Sequence, residues 1–205
     1  MPEKVIIVDD DEAVLDSLAA LLLAEGFAVE AFASAQALLD RYPRAPDGCV
    51  VTDVRMPEMD GLELIETLRA RGALPPIIVI TGHGDVPMAV RAMKLGARDF
   101  IEKPFDPGVL VAAIRHCAAA SALPPDRADP ELVRRLDNLT PREREVLEQL
   151  VLGHSNKAIG RALDISPRTV EIHRARVMEK MQAASLSQLV RIALSAGLDP
   201  GAGTA

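Results

Sequence analysis

The 205-residue chain is 49% hydrophobic and 26% charged, an ordinary balance for a globular protein of one large domain or two small ones. Aromatics make up 2%, so the core has to be aliphatic. The two cysteines, Cys49 and Cys117, fit no zinc or CxxC spacing and read as small buried hydrophobes in a reducing compartment. The net charge of -7 is uneven: residues 1–130 carry 12 Lys and Arg against 21 Asp and Glu, and residues 131–198 carry 11 against 8, which points to two domains with different partners.

Val5–Val8 is a short β-branched run, followed at once by Asp9-Asp10-Asp11-Glu12. Val14, Leu15, Leu18, Leu21 and Leu22 then recur at helical spacing up to Gly26, with Asp11 expected as N-cap. The alternation repeats. Strands are predicted at Ala28–Phe32, Cys49–Asp53, Ile77–Thr81 and Asp99–Glu102. Helices are predicted at Ala35–Asp40, around Leu62–Leu68, at Val86–Leu95 and at Val109–Ala120. About five βα units without long insertions predict an α/β fold, a doubly wound parallel five-stranded sheet, and the fully apolar strands among them agree with cover on both faces.

A stretch rich in Ala, Pro and Asp follows, with a short helix expected at Glu131–Leu136 inside it. Thr140-Pro141-Arg142-Glu143 is a capping box with Pro at the first helical position, opening a helix that continues through Leu150 to Gly153. Ser155 starts a second helix, and Asp164-Ile165 makes a tight turn. Ser166-Pro167-Arg168-Thr169 caps a third helix to about Gln182, and Ser185–Ala196 is a fourth. The expected division is a first domain at 1–120, a linker at 121–136 and an all-α four-helix domain at 137–200, with a disordered tail at 201–205. No run approaches the roughly 20 apolar residues of a membrane span. No signal-peptide pattern precedes the first strand, so a cytoplasmic protein without a membrane partner is expected.

The strand ends carry the chemistry. The first leads to Asp9 and Asp10, the third ends in Asp53, the fourth in Thr81, and the fifth leads to Lys103. Ligands of such sheets bind outside the carboxyl ends of the strands. Three carboxylates converging there repel one another unless a cation sits among them, and hard oxygen donors suit Mg²⁺. A carboxylate is also a nucleophile toward phosphorus, giving an acyl phosphate, while a metal, a Lys and a hydroxyl neutralise the phosphoryl oxygens. The same set would serve a Mg²⁺-dependent phosphate hydrolase, but no further acid–base pair accompanies Asp53. His83, between Gly82 and Gly84, reads as a loop residue without a chemical role.

Two short helices joined by a tight turn, the second with Arg near its start, read as a helix-turn-helix. Val170, Val177 and Met181 face inward in the third helix, which leaves Arg168, Thr169, Glu171, Ile172, Arg176 and Lys180 on open faces. Ile172 suits a thymine methyl, and Glu171 would accept from cytosine. Lys157, Arg168, Thr169, Arg176 and Lys180 suit phosphates. Without the turn, a solvated charged face would be the better reading.

Residues 1–120 resemble the receiver domain of bacterial two-component response regulators. The motifs are Val8-Asp9-Asp10, Asp53 with Met56-Pro57 and Asp60-Gly61, Thr81-Gly82 and Lys103-Pro104-Phe105. The resemblance implies a flavodoxin-like fold in which Asp53 takes a phosphoryl group from a sensor histidine kinase. Mg²⁺, with Mn²⁺ as a substitute, would be held by Asp10, Asp53 and the Arg55 carbonyl, with Asp9 acting through water. Thr81 and Lys103 would contact the phosphoryl group, and Phe100 would be the switch aromatic.

Thr81–Pro87 and Asp99–Phe105 are similar to the FixJ subgroup. Residues 137–198 resemble the LuxR-type helix-turn-helix on Leu139–Glu143, Glu145–Leu147, Asn156–Gly160 and Ser166–Glu171, with His173 at the family's recurrent His. Together these imply a transcriptional regulator, not an enzyme, that binds promoter DNA when phosphorylated. It would form a homodimer through a receiver face carrying Val90, Lys94 and Asp99, with Leu186–Ala193 of the fourth helix as the dimer contact of the DNA-bound form. It would act with RNA polymerase, as an activator, on oxygen-responsive nitrogen-fixation or respiration genes. A phosphate-independent DNA-binding protein is the remaining alternative, and the intact Asp9, Asp10, Asp53, Thr81 and Lys103 set argues against it.

Overall fold

The computed structural model describes residues 3–72, 74–82, 85–120 and 130–198; the expected linker stretch 121–129, His83 and the tail 201–205 lie outside them. In chain order the elements are β1 (Lys4–Val8), α1 (Glu12–Ala24), β2 (Ala28–Phe32), α2 (Ala35–Arg41), β3 (Cys49–Asp53), α3 (Gly61–Ala70), β4 (Ile77–Thr81), α4 (Val86–Leu95), β5 (Asp99–Glu102) and α5 (Pro107–Ala120). There follow α6 (Pro130–Asp137), α7 (Pro141–Val151), α8 (Asn156–Ala162), α9 (Pro167–Met181) and α10 (Leu186–Ser195). By contacts the chain divides into two compact units, Met1–His83 with Lys94–Pro124 and Gly84–Met93 with Pro125–Ala205, so α4 is split between them.

In the first unit all strands pair in parallel in the order β2-β1-β3-β4-β5, the flavodoxin-like arrangement. β1, β3 and β4 are apolar and β-branched because each is covered on both sides. Val5, Ile7, Val51, Ile78 and Ile80 pack with Leu15, Leu18 and Leu22 of α1 and Leu110 and Ile114 of α5. Ile6, Val50 and Val79, on the alternate pleat, are equally buried. Cys49 and Cys117 belong to the same core, and the Cys117 thiol beside it, together with burial, pushes the Cys49 thiol well above its ordinary pKa. At the outer corner Lys4 Nζ donates to the Tyr42 hydroxyl at 2.5 Å, which donates to Glu30 Oε2 at 2.5 Å.

In the second unit the inward residues of α7, α8, α9 and α10 close one aliphatic core, with Val146, Leu147, Leu150, Ile159, Val170, Val177, Met181 and Leu189 at its centre. Helix α6 joins that core through Leu136, with Leu132 against it. The short helix expected within the linker is therefore a fifth helix of this unit, because Leu132 and Leu136, one turn apart, share a face that needs a surface to cover it.

Candidate phosphoacceptor site and nucleic-acid interface

The order of the sheet reverses between β1 and β3, which leaves a crevice beyond their carboxyl ends. Asp9 follows β1 and Asp53 ends β3, so the two acids flank that crevice and are 3% and 7% exposed. One ammonium bridges them: Lys103 Nζ lies 2.9 Å from Asp9 Oδ2 and 2.9 Å from Asp53 Oδ1. Burial opposes the charge on Lys103, but the two carboxylates outweigh it and hold its pKa above the ordinary lysine value. The Arg55 N–H donates to the other Asp53 oxygen at 2.6 Å, and the Asp11 N–H donates to Asp9 Oδ1 at 3.0 Å. Both acids are thus held before any substrate arrives. Asp11 itself caps α1, accepting from the Ala13 and Val14 N–H groups.

Asp10, Thr81, Gly82 and Lys103 line the same open cleft of about 290 Å³ with Asp9, Asp53 and Arg55. Thr81 is buried at its end of β4, and the Lys103 N–H bonds the Thr81 carbonyl at 2.8 Å, tying the two loops together. Two buried carboxylates share one ammonium, and an exposed third, Asp10, stands beside them. Their oxygens are hard donors of the kind a divalent cation takes, but the Lys103 ammonium stands between the two buried ones. Among the described residues no three His, Cys, Asp or Glu side chains are gathered closely enough to hold an ion. Gly61 lets α3 start close under the site: a Cβ there would collide with the Asp53 carbonyl oxygen.

The second unit carries the turn. The α8–α9 connection is closed by the Ile165 N–H to the Gly160 carbonyl at 2.9 Å, with Asp164 at φ 52°. The fit admits no side chain at Gly160, whose Cβ would lie 2.7 Å from the Ile165 carbonyl oxygen. The Arg142 guanidinium also donates to the Leu163 carbonyl, so α7 grips the turn. Ser166 caps α9, whose outward face carries exposed Arg168, Glu171 and Arg176, with Ile172 49% exposed. The Thr169 hydroxyl is half-buried and hydrogen-bonds Ser166 Oγ at 2.8 Å, and Lys157 is exposed on α8.

Two family profiles match. The response regulator receiver domain covers residues 5–115, and the luxR family of bacterial regulatory proteins covers residues 137–193. The chain is 54% identical over 204 residues to the transcriptional regulatory protein FixJ of Azorhizobium caulinodans, covering 98% of this chain and 97% of that one. The chain belongs to the FixJ-like response regulators. The response regulator protein TodT of Pseudomonas putida is 44% identical, with 92% of this chain and 84% of that one covered. The crystal structure of full-length FixJ from B. japonicum matches with a TM-score of 0.56 at 50% identity, over 96% of this chain and 98% of that chain.

Some residues of this FixJ-like regulator sit differently from their sequence reading. Lys180, expected at a DNA phosphate, donates instead to Glu143 Oε2 at 2.7 Å and to the Asn138 carbonyl at 3.3 Å. Glu143 is buried and also accepts from the Thr140 N–H, and Lys180 beside it pulls its pKa down to about 2. Val90, expected as an exposed apolar contact, is 3% exposed, because it shares the buried stripe of α4 with Ala89, Ala92 and Met93. Lys94 is exposed, and Asp99 and Phe100 are half-buried. His173 is half-buried, and its Nδ1 has no hydrogen-bond partner among the described residues.

The Glu143–Lys180 pair was not legible as such. The capping box marked Glu143, but its partner lies 37 residues away and follows from how α7 and α9 cross. No helix among the described residues is long and apolar enough to cross a membrane.

Proposed function

We propose that this chain is a cytoplasmic regulator switched by phosphoryl transfer to Asp53, and that the phosphorylated form binds promoter DNA through α8 and α9. The carrying observation is the Lys103 ammonium shared between Asp9 and Asp53 at the crevice of the sheet. A phosphohistidine of a sensor kinase is the donor. An Asp53 carboxylate oxygen attacks phosphorus, the P–O bond forms as the P–N bond breaks, and the imidazole keeps the electron pair and takes up a proton. The product is an acyl phosphate.

Lys103 and the Thr81 hydroxyl line the cleft where the phosphoryl oxygens come to rest, and each supplies a donor to them. Asp10, Asp53 and the Arg55 carbonyl would hold Mg²⁺ or Mn²⁺, with Asp9 acting through water. When bound, the ion neutralises phosphoryl charge. On DNA, Glu171 and Ile172 face base edges while Lys157, Arg168, Thr169 and Arg176 take phosphates. Phosphorylation, relayed by Thr81 and Phe100, favours a homodimer through the face of Lys94 and Asp99. The dimer recruits RNA polymerase and activates oxygen-responsive nitrogen-fixation or respiration genes, the role suggested by the FixJ resemblance.

The test is labelling with a small phosphodonor. Asp53→Asn should lose all acid-labile label, since an amide cannot form the acyl phosphate. Labelling equal to the parent would move the nucleophile elsewhere. Asp10→Ala should be labelled less than the parent, and removal of divalent ions with a chelator should reduce labelling of the parent itself. Steady turnover of phosphate esters would favour a hydrolase instead.

A further inference from the structure

The inward stripe of α9 is Val170, Val177 and Met181, all fully buried. Arg174 lies in that stripe, four residues after Val170 and three before Val177, where helical spacing asks for an apolar side chain. It is half-buried. Its Nη1 donates to Asn156 Oδ1 on α8 at 2.9 Å, a neutral amide. Among the described residues no carboxylate makes an ion pair with it. Glu171, one turn back on α9, is exposed and acts only at longer range. Burial therefore presses the guanidinium pKa down, and Glu171 only partly counters it.

A half-buried cation without a counter-anion costs free energy that a leucine at this place would not. A guanidinium presents five N–H donors in a planar fork, and Asn156 occupies one edge of it. The next residue of α8, Lys157, is exposed and carries a second positive charge. The other N–H groups of that fork match an anion with two or more acceptor oxygens.

We propose that Arg174 clamps a phosphodiester of bound DNA, its fork turned outward and held there by Asn156. The proposal rests on the DNA-binding reading above and adds a contact beside the outward face of α9. A bidentate guanidinium–phosphate contact fixes register without reading sequence. Asn156 is a positioning residue, acting through Arg174.

The test uses the full chain and a labelled duplex that the parent protein has selected from random-sequence DNA, titrated over a series of salt concentrations. Arg174→Gln should weaken binding several-fold and reduce the slope of log K against log salt by about 1. Base preference should stay as in the parent. Arg174→Lys should keep the slope and still bind more weakly, because an ammonium cannot fork. Arg174→Leu should leave the thermal midpoint unchanged or raise it. An unchanged slope in Arg174→Gln overturns the proposal, and so does a lowered midpoint in Arg174→Leu, which would make Arg174 a packing residue. A parent protein that selects no duplex overturns the DNA-binding reading itself, a result distinct from either of these.

Discussion

The Glu143 carboxylate is shut away from water and satisfied by the Thr140 N–H and the Lys180 ammonium. Removing Lys180 leaves that charge buried without its counter-ion, whereas Lys180 itself is partly in water. Lys180→Ala should therefore cost roughly 1–3 kcal/mol of stability, between the values for exposed and buried pairs. Denaturant unfolding of the second unit would measure it. Losing the pair should leave the salt slope of DNA binding nearly unchanged, because the ammonium already has its partner. The same pair has a pH signature. Glu143 ionises at about 2 in the folded chain against an ordinary 4.5, so its contribution is complete above about 4.5. It fades as pH falls toward about 2, since the unfolded chain then binds the proton that the folded one refuses. Glu143→Gln should flatten the acid limb of the stability curve between those values, followed by thermal midpoint against pH.

At the scale of elements, α3 and α9 are placed by their neighbours more than by their own sequences. Gly61 sits where a methyl would meet backbone, not a side chain that can swing away. Gly61→Ala should cost about 2 kcal/mol, as overpacking does, and slow labelling of Asp53 by shifting the carbonyl behind it. A normal melting temperature with normal labelling would show that the α3 entrance is looser than it stands. On α9, Glu171→Ala and Ile172→Ala should relax base preference, while Arg168→Ala should weaken binding to every duplex and lower the salt slope. The reverse pattern would mean that the helix enters the groove on another face. Much of this was readable beforehand. Five strands and the caps of α7, α8 and α9 follow from β-branched runs and from Ser or Thr before a helix. Asp9, Asp53, Thr81 and Lys103 could be gathered because parallel strands put all their carboxyl ends at one rim. Pairings across helices were not readable. Lys180 with Glu143, and Arg174 with Asn156, depend on crossing geometry that no local pattern encodes.

At the scale of the whole molecule, phosphorylation is expected to act by bringing copies together, so that two DNA-binding units meet two half-sites at high effective concentration. Lys94→Glu should block dimerisation and operator binding while leaving labelling of Asp53 intact, read by sedimentation of the labelled protein. A labelled mutant that still dimerises would move the interface elsewhere. The sheet limits where that interface can be. Its two outer strands are β2 and β5, each paired on one side only. β5 is only four residues long and soon meets Pro104, while β2 carries Glu30 tied to Lys4, Tyr42 and Arg41. A short border and a charged one are poor templates for a strand from another chain. Crowding on a promoter therefore does not invite the sheets to fuse, and the proposed association through the side chains of Lys94 and Asp99 is one that can part again once the phosphoryl group is gone.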